Sequence, residues 1–132
     1  MALQRWADAD PGAMFAFARG WATDPDPLVR RAAAAGVCEP RLLREPGYAA
    51  AAVDICAAAT RTMRAAPAPR RGSERVLRQG LGYCWSVAVA ADPGPGLPRF
   101  LELMSDQDLD VAWIVRENAK KARLRRLLPT VQ

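Results

Sequence analysis

An internal repeat constrains the fold of this chain more than any other feature of its sequence. When the sequence is shifted against itself by 82 residues, Asp10–Arg44 aligns without gaps on Asp92–Arg126, with nine identities in 35 positions. Both copies begin with Asp-Pro-Gly and carry an Asp-x-Asp turn near their middle. Self-similarity at such a spacing is typical of chains built from stacked supersecondary units. We therefore expect a stack of similar units.

Each copy reads as two helices joined by a short turn. Asp26 is suited to cap the second helix, with Pro27 at its first position. We predict second helices over Pro27–Val37 and Leu109–Leu128. The apolar positions of the first helices form one helical stripe in both copies, namely Phe15, Ala18, Trp21 and Ala22 aligned on Leu97, Phe100, Leu103 and Met104.

The offset leaves room for one further unit between the two copies. Tyr48–Ala65 is predicted as its first helix, Pro67–Gly72 as the helix breaker, and Glu74–Ala91 as its second helix with Ser73 as the N-cap. The sequence thus predicts a single all-α domain over residues 1–132. Its three units span approximately residues 10–45, 46–91 and 92–128.

These units resemble HEAT repeats. The resemblance lies in the length of about 41 residues, the Asp-rich turn between the helices, and Val29 followed by Arg30 at the start of the second helix. It covers nearly the whole chain and implies an α-solenoid, an α-α superhelix of about three HEAT-like repeats, with the second helices lining its concave side. The third unit departs from the pattern because Ala112 replaces the arginine, so a ladder of Asp–Arg pairs between units is expected to be incomplete.

The residue types argue against catalysis, a metal site and a cofactor. The chain has no histidine, which removes the commonest general base and zinc ligand. Cys38, Cys56 and Cys84 lie in apolar stretches and are expected to be small buried hydrophobes. Gly80 and Gly82 follow no strand, so close helix packing is favoured over phosphate binding. We therefore assign no catalytic residue, metal or cofactor.

The charge of the chain is concentrated in its second half. Residues 1–60 carry 6 Arg and 7 acidic residues, a net charge of −1, whereas residues 61–132 carry 11 Arg, 2 Lys and 7 acidic residues, a net charge of +6. This asymmetry suggests an anionic partner. The N-terminal sequence lacks the pattern of a signal peptide, and the longest apolar run, Gln79–Ala91, is too short to span a bilayer. A cytoplasmic location is expected.

Two helical stripes that join cations to a tryptophan are the candidate binding site. Helical spacing places each stripe along one side of a second helix. The middle stripe consists of Arg71, Arg75, Arg78 and Trp85. The third consists of Trp113, Arg116, Lys120 and Arg123, with Lys121 beside it.

The stripes can be interpreted structurally, with the arginines covering exposed helices and the tryptophans packing against neighbouring helices or a missing repeat. If they bind a partner, two classes of partner are open. A protein partner or self-association is favoured, because short solenoids have apolar end faces that need covering. Nucleic acid is the alternative, since cations and aromatic rings could track a phosphate backbone and stack on bases. The HEAT resemblance also includes bacterial alkylation-repair DNA glycosylases, which combine tryptophan with an acidic residue. Similar pairs here are Trp113 with Glu117 and Trp6 with Asp10.

Two further polar residues are interpreted structurally. Asp54 stands alone in an alanine-rich stretch and is expected to be solvated or paired with Arg61. Asn118 lies on the buried face of its helix, where a side-chain amide must find partners. We expect those partners to be backbone groups of the turn between the helices of the preceding unit.

Overall fold

The computed structural model describes residues 10–129, and within that range the chain is helical and contains no strand. Its α-helices are α1 (Pro11–Trp21), α2 (Pro27–Val37), α3 (Pro46–Ala65), α4 (Ser73–Ala91), α5 (Pro93–Leu103), α6 (Leu109–Ala119) and α7 (Ala122–Arg125). A short 3-10 helix, Leu42–Arg44, precedes α3. The all-α prediction is confirmed.

The two aligned copies have the same local structure. Helices α5 and α6 begin and end 82 residues after α1 and α2. The turn between the helices is also repeated. The amide of Asp26 donates to the Asp24 carboxylate, and that of Asp108 donates to the Asp106 carboxylate, each at 2.8 Å. These turns repeat because a short carboxylate can accept from the backbone two residues on.

Aspartates cap the second helices as the sequence predicts. Asp26 accepts a hydrogen bond from the Leu28 amide at 2.9 Å. Asp108 accepts from the amides at the start of α6. In the middle unit the prediction of Ser73 as N-cap is wrong. Gly72 occupies that position with a φ of +57°, a conformation that glycine adopts without the steric cost of a Cβ atom, and Ser73 is the first helical residue.

The predicted second helix of the third unit is too long. Helix α6 ends at Ala119, and Lys121 is extended with a ψ of 128° before α7 begins. This break lets the chain turn back so that α7 packs on α4 and Leu124 becomes fully buried. Burial of a leucine side chain contributes about 2 kcal/mol, which favours the turn over a longer helix projecting into solvent.

The helices contact one another in two rows. Helices α1, α3 and α5 contact in that order, and so do α2, α4 and α6. Arg78 bonds to Asp110 near the starts of α4 and α6. The amide of Ser86 donates to Asn118 near their ends. Helices α4 and α6 therefore run in the same direction.

Helix α4 lies at the centre of the core. It contacts α2 and α6 in its own row and α3 and α5 in the other. Trp85 is 1% exposed, its indole N–H donates to the Thr60 hydroxyl at 3.0 Å, and its ring packs against Phe100 at 6.0 Å between centroids. Gly82 is buried as well. A Cβ atom there would lie 2.8 Å from the Trp113 ring, so glycine permits the close packing expected of it.

Buried arginines connect neighbouring units. Arg30 is 2% exposed, and it donates to the Asp24 carbonyl at 2.9 Å and to Glu74 of the middle unit at 2.9 Å. Arg70 is 8% exposed and pairs with Asp108 and Asp110 of the third unit, both at 2.9 Å. Arginine–carboxylate pairs thus join the units at both junctions. The ladder of Asp–Arg pairs is incomplete, as expected, because the first junction uses Glu74, and the second junction uses an arginine from the turn before α4.

No helix within residues 10–129 combines the length and the apolar character needed to cross a lipid bilayer.

Candidate interaction surface

The outer side of the row α2–α4–α6 forms one surface, which we call the second-helix face. Helix α2 contributes Leu28 and Arg31, α4 contributes Arg75, Val76, Gln79 and Tyr83, and α6 contributes Arg116, all of them exposed. The surface continues from α2 onto α4. Arg31 lies over α4, because a Cβ atom at Gly80 would be 3.2 Å from its side chain.

Every acidic residue of these three helices is paired within the fold. Glu74 accepts from Arg30, Asp110 from Arg78 at 3.0 Å, and Glu117 from Lys120 at 2.6 Å. The hydrogen bond from Lys120 lowers the pKa of Glu117, so this carboxyl is ionised and neutralised locally. No acidic side chain within α2, α4 or α6 is therefore free.

The exposed arginines of the face have no such partner. Within the described part of the chain, Arg31, Arg75 and Arg116 form no ion pair and no side-chain hydrogen bond. The same is true of Arg71, which is exposed just before α4. A face with unpaired cations and no free acid has a positive potential, which attracts anionic partners.

The middle stripe predicted from the sequence is only partly a surface feature. The prediction that Trp85 belongs to an exposed stripe is wrong, because α4 packs against five other helices and this side chain points into the core. Arg78 is also largely covered. It bonds to Asp110, and its guanidinium lies 4.3 Å from the centre of the Trp113 ring. Of that stripe, Arg71 and Arg75 remain open to solvent.

The third stripe is divided by the break after α6. Trp113 is half-buried between Gly82 and the Arg78 guanidinium, so much of its ring is already in contact. Arg116 and Lys120 are exposed, as predicted. Lys121 and Arg123 lie beyond the break and do not continue that stripe. Arg123 instead stands 5.7 Å from the centre of the Tyr83 ring.

Exposed apolar side chains lie among the cations of the face. Leu28 is 49% exposed, Val76 38% and Tyr83 42%. These residues were not predicted from the sequence, because an exposed apolar residue cannot be told from a core residue by its type alone. Periodicity offered one signal. Val76 and Tyr83 are seven residues apart, on the side of α4 opposite to its core residues Leu81 and Val89.

Two polar residues have partners other than those predicted. The Asp54 carboxylate is bonded by Arg19 of α1 at 3.3 Å and by Arg99 of α5, so it links the three first helices and does not pair with Arg61. Its side chain is 44% exposed, so it is also partly solvated, as expected. Arg19 and Arg99 approach it because α1 and α5 flank α3.

Asn118 is fully buried, as expected, but its partners outside its own helix are on α4 and not in the preceding turn. Its amide donates to the Leu81 carbonyl at 2.9 Å and to the Ile114 carbonyl at 2.7 Å. Its side-chain oxygen accepts from the Ser86 amide at 2.9 Å.

The three cysteines are buried as expected. The sulfurs of Cys38 and Cys56 are 3.6 Å apart. Hydrogen bonding to Cys56 and Cys84, together with burial, raises the pKa of the Cys38 thiol well above its usual range. Within residues 10–129 no group of three or more His, Cys, Asp or Glu side chains is placed to hold a metal ion. Trp6, one member of the second aromatic–acid pair, lies outside the described residues.

Comparison with known proteins adds no assignment to this surface: no family model, no curated protein and no solved structure matches the chain.

Proposed function

We propose that this chain is a non-enzymatic interaction module, a short α-solenoid of HEAT-like repeats that binds an acidic segment of a protein partner on its second-helix face. The observation that carries the proposal is the asymmetry of pairing on that face. Glu74, Asp110 and Glu117 are neutralised inside the fold, while Arg75 and Arg116 are exposed without a carboxylate. A partner that supplies carboxylates would complete these pairs.

The solenoid part of the proposal is supported by three features. The helix boundaries of the first and third units repeat at the same offset. The first helices of the units contact one another in one row, and the second helices contact one another in the other row. Buried Arg30 and Arg70 join successive units. Such an arrangement leaves each unit in contact mainly with its neighbours, which is the basis of solenoid stability.

A protein partner is favoured over nucleic acid by the composition of the face. Leu28, Val76 and Tyr83 expose apolar area between the cations, and apolar contacts at the centre with charges around them are typical of protein interfaces. A phosphate backbone would leave Leu28 and Val76 unused. Neither Trp85, which is buried, nor Trp113, which is covered by a guanidinium, offers a free ring for base stacking.

Charge reversal on the face tests the proposal. The double variant Arg75→Glu, Arg116→Glu is compared with Arg61→Glu, which reverses an exposed arginine on α3 in the other row. Immobilised wild-type protein and both variants are incubated with extract of the producing cells, and retained proteins are quantified by mass spectrometry. We expect a specific protein that is retained by the wild type and by Arg61→Glu and lost with the double variant.

Titration with fluorescent duplex DNA at two salt concentrations tests the nucleic-acid alternative. Binding that falls steeply with salt and is abolished by the double variant would assign the face to nucleic acid and overturn the proposal. Equal retention of every captured protein by the wild type and the double variant would also contradict it.

A further inference from the structure

An apolar pocket of about 400 Å³ opens beside the second-helix face. It lies where the segment after α2, the end of α4 and α7 meet. Leu43 and Val87, which are 1% and 3% exposed, are its most deeply buried lining residues. Pro40, Ala90 and Ala91 complete the apolar lining, and Arg44 and Arg123 are its charged members. Its volume is at the small end of the range for ligand pockets, so it suits one or two residues of a partner.

The two arginines of the pocket have no carboxylate partner. Within the described part of the chain, neither Arg44 nor Arg123 forms an ion pair, and none of the lining residues is acidic. Arg44 is exposed, whereas Arg123 is half-buried near the Tyr83 ring. A guanidinium presents planar donors that match a carboxylate, so a pocket with two of them selects an anion over a neutral group.

The pocket is continuous with the second-helix face. Tyr83 belongs to that face, and Arg123, 5.7 Å from the centre of its ring, lines the pocket. Val87 is one helical turn beyond Tyr83 on α4. A chain that lies along α4 over Gln79 and Tyr83 would therefore arrive at the pocket.

We infer that the pocket binds the C-terminal residue of the partner chain, with its apolar side chain against Leu43 and Val87 and its terminal carboxylate between Arg44 and Arg123. A C-terminal residue carries both groups on one Cα atom, whereas an internal acidic residue brings its carboxylate on a side chain that has no apolar end. One residue thus satisfies the apolar lining and both guanidinia. This inference rests on the proposed function, since it specifies the C-terminal residue of the partner that binds the second-helix face.

Short peptides of defined end groups test this assignment. The probe is the acetylated tripeptide Ala-Ala-Leu with a free carboxylate, and its two comparators are the same peptide as a C-terminal amide and acetylated Ala-Ala-Gly with a free carboxylate. Binding is followed by chemical-shift changes of backbone amides in the full chain. We expect the free acid to shift the backbone amide signals of Val87, Ala90 and Ala91. Each comparator should bind at least about tenfold more weakly than the acid.

Substitutions in the pocket complete the test. Arg44→Gln and Arg123→Gln are each expected to weaken binding of the acid about tenfold. Arg126→Gln removes an exposed arginine that does not line the pocket and should leave binding unchanged. Equal binding of acid and amide, shifts confined to other helices, or no shifts at millimolar peptide would overturn the inference.

The two proposals fail in different ways. If the peptides do not bind while Arg75→Glu, Arg116→Glu still releases the captured partner, the second-helix face stands and the C-terminal pocket does not. If the peptides bind at the pocket but the double variant retains every captured protein, the pocket stands without the proposed function.

Discussion

The buried amide of Asn118 should be one of the most sensitive positions in this chain. Its side chain makes three hydrogen bonds inside the core, two of which reach across to α4. A buried hydrogen bond contributes about 1 kcal/mol, and a buried group left without a partner costs about 1–3 kcal/mol. We therefore expect Asn118→Ala to lower the free energy of unfolding by about 3 kcal/mol or more, a large part of the stability of a single domain.

Chemical denaturation followed by circular dichroism measures this loss, and hydrogen exchange locates it. The Ser86 amide donates to the Asn118 oxygen, so its exchange should accelerate in the variant more than that of residues at the start of α4. Gln79→Ala is the matched control, because it removes an exposed amide from α4 and should change stability by about 0.5 kcal/mol or less.

Asn118→Asp separates hydrogen bonding from shape. This change keeps the side-chain volume and the acceptor for the Ser86 amide, but it replaces the donor to the Leu81 and Ile114 carbonyls with a carboxylate oxygen. Burial raises the pKa of a carboxyl, so its cost should be greatest at neutral pH and shrink as the pH falls and the group is protonated. A loss below 1 kcal/mol for Asn118→Ala, with unchanged Ser86 exchange, would refute the reasoning.

Three further outcomes follow from the packing and ion pairs. The hydrogen bond from Arg64 lowers the pKa of Asp106. This pair therefore stabilises the fold at a pH above the carboxyl pKa of the unfolded chain, and the stabilisation is lost as the pH falls through the lower pKa of the folded state. The loss of stability caused by Arg64→Gln should accordingly disappear when denaturation is measured at acid pH. Gly82→Ala should cost about 1–3 kcal/mol in urea unfolding, because its methyl group would overlap the Trp113 ring. The Cys38 thiol should react with a disulfide reagent only as fast as the protein unfolds, since its raised pKa and burial suppress the thiolate.

Each of these outcomes has its own contradiction. If Arg64→Gln destabilises the protein equally at neutral and acid pH, its effect does not come from the ion pair with Asp106. Gly20→Ala is the control for Gly82→Ala, because a methyl group at Gly20 meets nothing within 4 Å and should be neutral or stabilising. Rapid thiol labelling of the folded protein would show that the core around the cysteines opens locally.

The sequence predicted the parts of this fold that depend on local chemistry. Aspartate at an N-cap and proline at the first helical position act through the backbone of their own turn, so Asp26 and Pro27 locate the start of α2 from sequence alone. The unit boundaries were predicted in the same way, because the identities of the two copies lie at caps and turns. The predicted cap at Ser73 was wrong, because the positive φ of Gly72 allowed the cap to move by one residue.

The candidate site was predicted less well, because exposure on a helix depends on how many neighbours it has. The stripe from Arg71 to Trp85 is regular in sequence, but α4 contacts helices of its own row and of the other row. Trp85 therefore enters the core, while Arg75 remains exposed. The pocket was not predictable at all. Its arginines, Arg44 and Arg123, are 79 residues apart and meet only because the chain turns after α6.

The internal repeat by itself determined that this chain is helical and where its aligned units begin, since caps, turns and helical periodicity act over a few residues. The repeat did not determine which cations would be free. Arg30, Arg70 and Arg75 are the same residue type, yet the first two are buried in ion pairs between units and the third is exposed. That division is decided by the stacking of the units, because the guanidinia of Arg30 and Arg70 are buried where a neighbouring unit brings carboxylates to them, and within residues 10–129 no such carboxylate reaches Arg75.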